Sequence, residues 1–219
     1  MKDEDLMIRE DICRELEWEP QVNPAHIGVA VEDGVVTLSG HVSNCAEKFA
    51  AEHAARRIRG VRAIVQAIDV RPPESSIRSD EAIAASIAQT LEWDELVPHD
   101  RILATVEHGI VTLEGTVERA FHRDEAELDA RKIRGVNGVI NKITVVPSVA
   151  RGPSSEEIMY ALSRSADLDA SNIKVITANG TVILTGIVRR LGDRQAAERI
   201  AWSAPGAREV DNRLSVEAI

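Results

Sequence analysis

Apolar residues recur four apart at Ile8, Ile12 and Leu16, with charged residues between them, a spacing that places them on one face of a helix. The period then changes. Ile27, Val29 and Val31 alternate with small or polar residues, Asp33-Gly34 supplies a turn, and Val36, Leu38, Gly40 and Val42 alternate again, which predicts a hairpin with one half-buried face. From Cys45 to Arg59 helical spacing returns, with Ala51, Ala55 and Ile58 on one side. Gly60 ends that helix, and Ile64, Gln66, Ile68 and Val70 predict a third strand. The predicted order is α-β-β-α-β.

The chain carries this order three times. Asp33-Gly34-Val35-Val36-Thr37-Leu38-Ser39-Gly40-His41-Val42 recurs 75 residues later, from His108 to Val117, and 146 residues later, from Asn179 to Val188. The offsets hold without a gap from Ile27 to Val70, so that Gly60 falls on Gly135 and Gly206, and Val70 on Val145 and Val216. Upstream, Ile12 and Leu16 fall on Ile87 and Leu91, then on Ile158 and Leu162. We therefore expect an α+β fold of three tandem small modules, at 1–71, 77–147 and 154–219, each a three-stranded sheet covered on one face by two helices. Proline-rich joins at 71–76 and 147–153 stiffen the connections. The helix between the second and third strands returns the chain, so those two strands should run parallel. The uncovered sheet face offers Ala30, Val35, Val65 and Ala67 beside Thr37 and Ser39 in the first repeat, and Ile176, Ile183 and Ile187 in the third. We expect it to pack against another repeat, with a partner or a lipid surface as the alternative.

Composition narrows the function. The chain has 219 residues, 44% hydrophobic and 28% charged, as folded soluble proteins do. No apolar run reaches the roughly 18 residues of a membrane span. The acidic start Met1-Lys2-Asp3-Glu4-Asp5 is unlike a secretory signal, so the sequence predicts a cytoplasmic protein. A net charge of −10 opposes binding to a phosphate polymer, and three Trp, one Tyr and two Phe are too few for base-stacking platforms, so no nucleic-acid partner is expected. Cys13 and Cys45 cannot build a disulfide framework and suit a reducing compartment.

The segment Gly34-Val35-Val36-Thr37-Leu38-Ser39-Gly40 with its two copies, together with Ala54-Ala55-Arg56-Arg57-Ile58-Arg59-Gly60-Val61 and its echo Ala130-Arg131-Lys132-Ile133-Arg134-Gly135-Val136, resembles the BON domain. That domain is a small α-β-β-α-β module found in bacterial envelope proteins, and the resemblance covers nearly the whole chain. The third copy departs from it at Ala204-Pro205-Gly206-Ala207 and has no counterpart to Trp18 and Trp93. The resemblance implies binding rather than catalysis: contact with phospholipid or membrane, a role in osmotic or envelope stress and, as in a cytoplasmic relative, potassium binding.

The residues themselves offer no catalytic motif. There is no phosphate-binding glycine loop, paired-cysteine metal spacing, His-Glu-x-x-His or Gly-x-Ser-x-Gly. Nor do the histidines recur, since His41 is matched by Thr116 and Ile187, and His53 by Leu128 and Arg199. We expect neither an enzyme nor a cofactor. Arg56, Arg57 and Arg59, with Arg62, cluster at a helix end, and Arg189, Arg190 and Arg194 at a helix start. They read as solvated caps or as contacts to anionic lipid head groups, more readily in the near-neutral third repeat. Gln66, Asn141 and Asn212 place an amide at one position of an apolar strand face, either to tie the strand to a helix end or to lend an oxygen to potassium. Gly34, Gly109 and Gly180 are turn glycines, Gly40, Gly115 and Gly186 are expected to admit a close-packed helix, with a ligand against the backbone as the alternative, and Trp18 and Trp93 to edge the core rather than to anchor in a membrane. The expected function is a non-enzymatic stress-related binding protein that meets a phospholipid surface or a protein partner. A potassium sensor and a scaffold without a small ligand are the alternatives.

Overall fold

The computed structural model describes residues 3–148, 152–165 and 168–217, so part of the second join lies outside the described residues. The first repeat comprises α1 (Asp3–Trp18), β1 (Ile27–Glu32), β2 (Val35–Val42), α2 (Cys45–Arg56) and β3 (Ala63–Val70). The second comprises α3 (Asp80–Trp93), β4 (Ile102–Glu107), β5 (Ile110–Val117), α4 (Ala120–Lys132) and β6 (Gly138–Val145). The third comprises α5 (Ser155–Ser163), β7 (Ile173–Ala178), β8 (Thr181–Val188), α6 (Leu191–Trp202) and β9 (Glu209–Val216). Three separate three-stranded sheets result, each with its second strand in the centre. β5 and β6 run parallel, as do β8 and β9, as the returning helix requires.

The chain divides into two compact units, one of Met1–His41, Phe49–Asp69 and Val149–Ile219, the other of Val42–Lys48 and Val70–Ser148. In the second unit, Ile83, Ile87 and Leu91 of α3 meet Val111, Leu113 and Val117 of β5, and Ala126 and Ala130 bring α4 close to the sheet. Cys45, at the start of α2, is buried in this same cluster. In the first unit, Ile8, Ile12 and Leu16 are buried with Val36, Leu38 and Ile68, and the third repeat has an equivalent core around Ile158, Leu162, Val182 and Leu184. That unit also joins the first and third repeats through short polar contacts. Arg59 forms a backbone bridge with Arg190, its guanidinium lies 3.5 Å from Glu217, and glycine at 192 lets α6 approach the backbone of Arg56.

Every hairpin turn has two consecutive residues in the left-handed region, Asp33-Gly34, His108-Gly109 and Asn179-Gly180. Two positive φ values define the type I′ turn that suits the twist of paired strands. In the first two repeats the N–H groups of the turn are held by a carboxylate at the helix start. Asp80 accepts from His108 N at 2.8 Å and Gly109 N at 2.9 Å, and Asp5 accepts from Asp33 N at 3.2 Å and Gly34 N at 3.1 Å. Asp80→Ala should therefore lower stability by about 2 kcal/mol, because two charge-assisted bonds are lost. Urea unfolding followed by circular dichroism tests this, and an unchanged midpoint would refute it.

Three expectations are corrected. Gly40, Gly115 and Gly186 do not make room for a helix: an added Cβ would lie 2.0, 2.0 and 1.9 Å from the carbonyl oxygens of His26, Arg101 and Asn172, each the last residue of a 3₁₀ turn before the first strand. Nor are the sheet faces opposite the helices covered at the following described residues. Leu103 is 62% exposed, Ile176 56% and Ile187 52%. Trp18 and Trp93 do not edge the core but stand 85% and 76% exposed, because each lies two positions beyond a core leucine, roughly 200° around the helix.

Candidate functional site

The amides on the apolar strand face are ties between sheet and helix. Asn141 Nδ2 donates to the Arg123 carbonyl at 3.0 Å and to Glu127 Oε2 at 2.9 Å, while its Oδ1 accepts from Ile143 N at 3.1 Å. Asn212 repeats this with the Arg194 carbonyl at 2.9 Å, Glu198 at 3.0 Å and Leu214 N at 3.2 Å. Gln66 does so more loosely, with Glu52 at 3.4 Å and Ile68 N at 3.3 Å. Each amide has protein partners on both its nitrogen and its oxygen, so the potassium reading finds no support in this geometry. The partners Glu52, Glu127 and Glu198 did not figure among the candidates drawn from sequence, although they recur at the same 75- and 146-residue offsets as the amides.

The arginine clusters are engaged rather than presented to solvent as a patch. Arg56 pairs with Glu52, and Arg57 spans to the end of α1, where its Nε meets Glu15 at 2.8 Å and its Nη2 meets Glu19, just past the helix, at 3.1 Å. Arg190 is the N-cap of α6 and binds Asp193 through both its backbone N–H and its guanidinium, at 3.0 Å each. Arg194 reaches the Asn212 carbonyl at 2.8 Å. Arg189 and Arg59 remain largely exposed, with Asp169 and Glu217 as partners at 3.1 and 3.5 Å.

A different set of cations accompanies exposed apolar surface. On the outer face of the third sheet, Ile176 lies opposite Ile183, while Lys174, Thr185 and Arg213 form the adjacent row. Lys174 has no ion-pair partner among the described residues and is exposed; Arg213 is paired with Asp211 at 2.6 Å but is also exposed. Ile187 continues the apolar line, and Arg189 follows it two residues later. Lys174 and Arg213 carry no sequence motif, and only the strand register reveals that they share a row.

Reactive groups are muted. Burial pushes the Cys45 thiol above its ordinary range against the pull of Arg131 and Lys48. Burial, then Arg57, Arg199 and Arg56, hold the His53 imidazole below its own range, so it is neutral near pH 7. Among the described residues, no three His, Cys, Asp or Glu side chains converge as a metal site, and no helix is long and apolar enough to cross a membrane.

Three stretches of the chain, residues 4–72, 79–147 and 155–218, match the BON domain. The chain belongs to the BON family. Osmotically inducible protein Y of Escherichia coli is 31% identical over 126 residues, 56% of this chain and 63% of that protein, so the match spans less than two thirds of the relative. The outer membrane lipoprotein DolP of Haemophilus influenzae is 28% identical over 158 residues, 69% of this chain and 81% of that protein. Among solved structures, CdsD, a structural protein of the type III secretion system of Chlamydia trachomatis, is 17% identical and covers 98% of this chain and 93% of its own, with a TM-score of 0.25. A score that low carries no argument about how the BON repeats are arranged.

Proposed function

We propose that this BON protein is a non-enzymatic binding protein that rests reversibly on an anionic phospholipid surface during osmotic or envelope stress, using the outer sheet face of its third repeat. The observation that carries this reading is the row of Lys174 and Arg213 beside exposed Ile176, with Ile187 and Arg189 on the following stretch. Apolar side chains that enter the interface and cations that meet phosphates act together there. The third repeat is also the least acidic of the three, so it is the least repelled. Each cation near the surface contributes about 1 kcal/mol, while the −10 charge of the whole chain opposes approach, so contact should be weak and salt-sensitive. The names of the two relatives, one osmotically inducible and one an outer membrane lipoprotein, support a stress-related, membrane-associated role and favour the cell envelope over the cytoplasm.

The position of each arginine refines which of them should matter. Arg190 and Arg194 are spent on α6 and β9, and Arg56 and Arg57 on helix ion pairs, which leaves Arg189 as the lipid-facing member of its cluster and Arg59 as the exposed member of the other. Flotation with phosphatidylglycerol vesicles at low salt should recover the native chain, and phosphatidylcholine vesicles should not. Lys174→Glu with Arg213→Glu should abolish recovery, and Arg189→Glu should weaken it. Recovery that survives about half-molar salt, or that ignores these substitutions, would refute the assignment.

A further inference from the structure

Helices α1 and α3 end in the same way. Each closes on Leu-Glu-Trp, with Glu19 next after Trp18, and Asp94 and Glu95 next after Trp93. Neither helix has a basic residue in its last turn. Carboxylates are thus gathered where the helix dipole is already negative, an arrangement that costs stability unless a cation meets it. The chain supplies part of that cation. Arg57 answers Glu15 and Glu19 at the end of α1, and Lys132 answers Asp129, which burial and Asp94 push above its ordinary carboxylate range, at the end of α3. Glu17, Glu92 and Glu95 are exposed and have no ion-pair partner among the described residues.

Two large indole surfaces stand in this acidic setting. A tryptophan offers the strongest cation–π face among side chains, and exposed aromatic residues are favoured anchors of interfaces. The third repeat shows the complementary arrangement. Its residue at the position of Trp18 and Trp93 is Arg164, the C-cap of α5, and that guanidinium lies 4.7 Å from the centroid of the Tyr160 ring. At this helix end, then, the third repeat holds a cation on an aromatic face within one chain, while the first two hold the aromatic face and the carboxylates with no cation over the indole among the described residues.

We infer that the ends of α1 and α3 are docking sites for a basic polypeptide segment, whose Arg or Lys side chains stack on Trp18 or Trp93 and pair with Glu17 or with Glu92 and Glu95. The charge of both sites selects against an anionic membrane and for a cationic protein partner. The inference is independent of the lipid-facing role given to the third repeat, which uses a sheet face and not a helix end.

Calorimetric titration of the full chain with a peptide of alternating Arg and Gly, at about 150 mM salt, tests it, with quenching of tryptophan emission as a second readout. The Arg peptide should bind and a peptide of alternating Glu and Gly should not. Trp18→Ala with Trp93→Ala should weaken binding about tenfold, or about 1.4 kcal/mol, and so should Glu17→Gln with Glu92→Gln and Glu95→Gln. All five side chains are exposed, and circular dichroism checks that the variants keep their fold. As a control, Glu107→Gln with Glu114→Gln removes two charges from the outer face of the second sheet and should leave affinity unchanged. Three results would overturn the inference: a control that loses as much as the glutamate variant, tryptophan variants that bind as well as the native chain, or Trp18 and Trp93 quenched by phosphatidylglycerol vesicles and not by the Arg peptide. Concentration-dependent self-association abolished by Trp18→Ala would instead make a second copy the occupant.

Discussion

Gly115→Ala is expected to destabilise the chain by on the order of 4 kcal/mol, near the top of what single substitutions cost. Two independent constraints meet at this position. The backbone has φ 144°, a region that side chains rarely adopt, and an added Cβ would lie 2.0 Å from the Arg101 carbonyl oxygen and 3.1 Å from its carbon. Both obstacles are backbone, so no rotamer change relieves the overlap. Gly115 is the register partner of Ile102, so relief requires the start of β4 to leave β5 where Ile102 packs on the core. Two other glycines of the same repeat set the scale. Gly109→Ala meets the movable Asn137 side chain at 2.5 Å and the Gly135 carbonyl at 2.9 Å with φ 74°, and should cost about 2 kcal/mol. Gly138→Ala meets only the end of the Ile110 side chain, at 3.2 Å, and should cost under about 1 kcal/mol. Urea midpoints at constant slope give the ranking, and a Gly115→Ala variant as stable as Gly138→Ala would show that the close approach is not real.

The role of that glycine also marks where sequence reading stops. Alternation placed Gly115 on the apolar face of its strand, and the helices are what that face meets, so a packed helix was the natural expectation. What it meets is a carbonyl from a 3₁₀ turn that carries no hydrophobic pattern. Elements with a period were legible throughout: the four-residue spacing of Ile8, Ile12 and Leu16 put all three in the core, and repetition extended the reading to both other modules. Side-chain partnerships were legible only where they repeat. Glu127 and Asn141 recur together at fixed offsets, whereas the reach of Arg57 to Glu15, 42 residues away, has no counterpart in the second repeat, where Lys132 bonds within its own helix. Exposure of Trp18 and Trp93 was within reach, since two positions past a core leucine is nearly the opposite side of a helix. The cations of the third sheet were not, because Lys174 and Arg213 are 39 residues apart and become neighbours only across β8.

Asn141→Leu is expected to cost about 3 kcal/mol, although leucine keeps the fork at Cγ that shapes the asparagine side chain. The loss is one of hydrogen bonding. The Arg123 carbonyl and the Ile143 N–H each lose a partner in a half-buried setting, and Glu127 loses a bond to its carboxylate. Asn141→Asp separates this explanation from a packing effect, because it keeps shape and reverses function: an oxygen replaces the nitrogen that faced the Arg123 carbonyl and the Glu127 carboxylate. The introduced acid should therefore have its folded-state pKa raised above the unfolded value. Such a group favours the folded state fully below its unfolded pKa and loses that contribution as pH rises through the folded pKa, so the penalty relative to the native chain should be complete near pH 7 and shrink as pH falls toward about 4. Adding Glu127→Gln supplies an amide that can donate to the new carboxylate, and should recover part of the stability at pH 7 in that background while lowering it in the native one, where the charge-assisted bonds to Asn141 and Arg131 are lost. Thermal unfolding of the four chains across this pH range closes the cycle. Additive effects of the two substitutions, or a pH-independent penalty for Asn141→Asp, would mean that the amide merely fills space between β6 and α4.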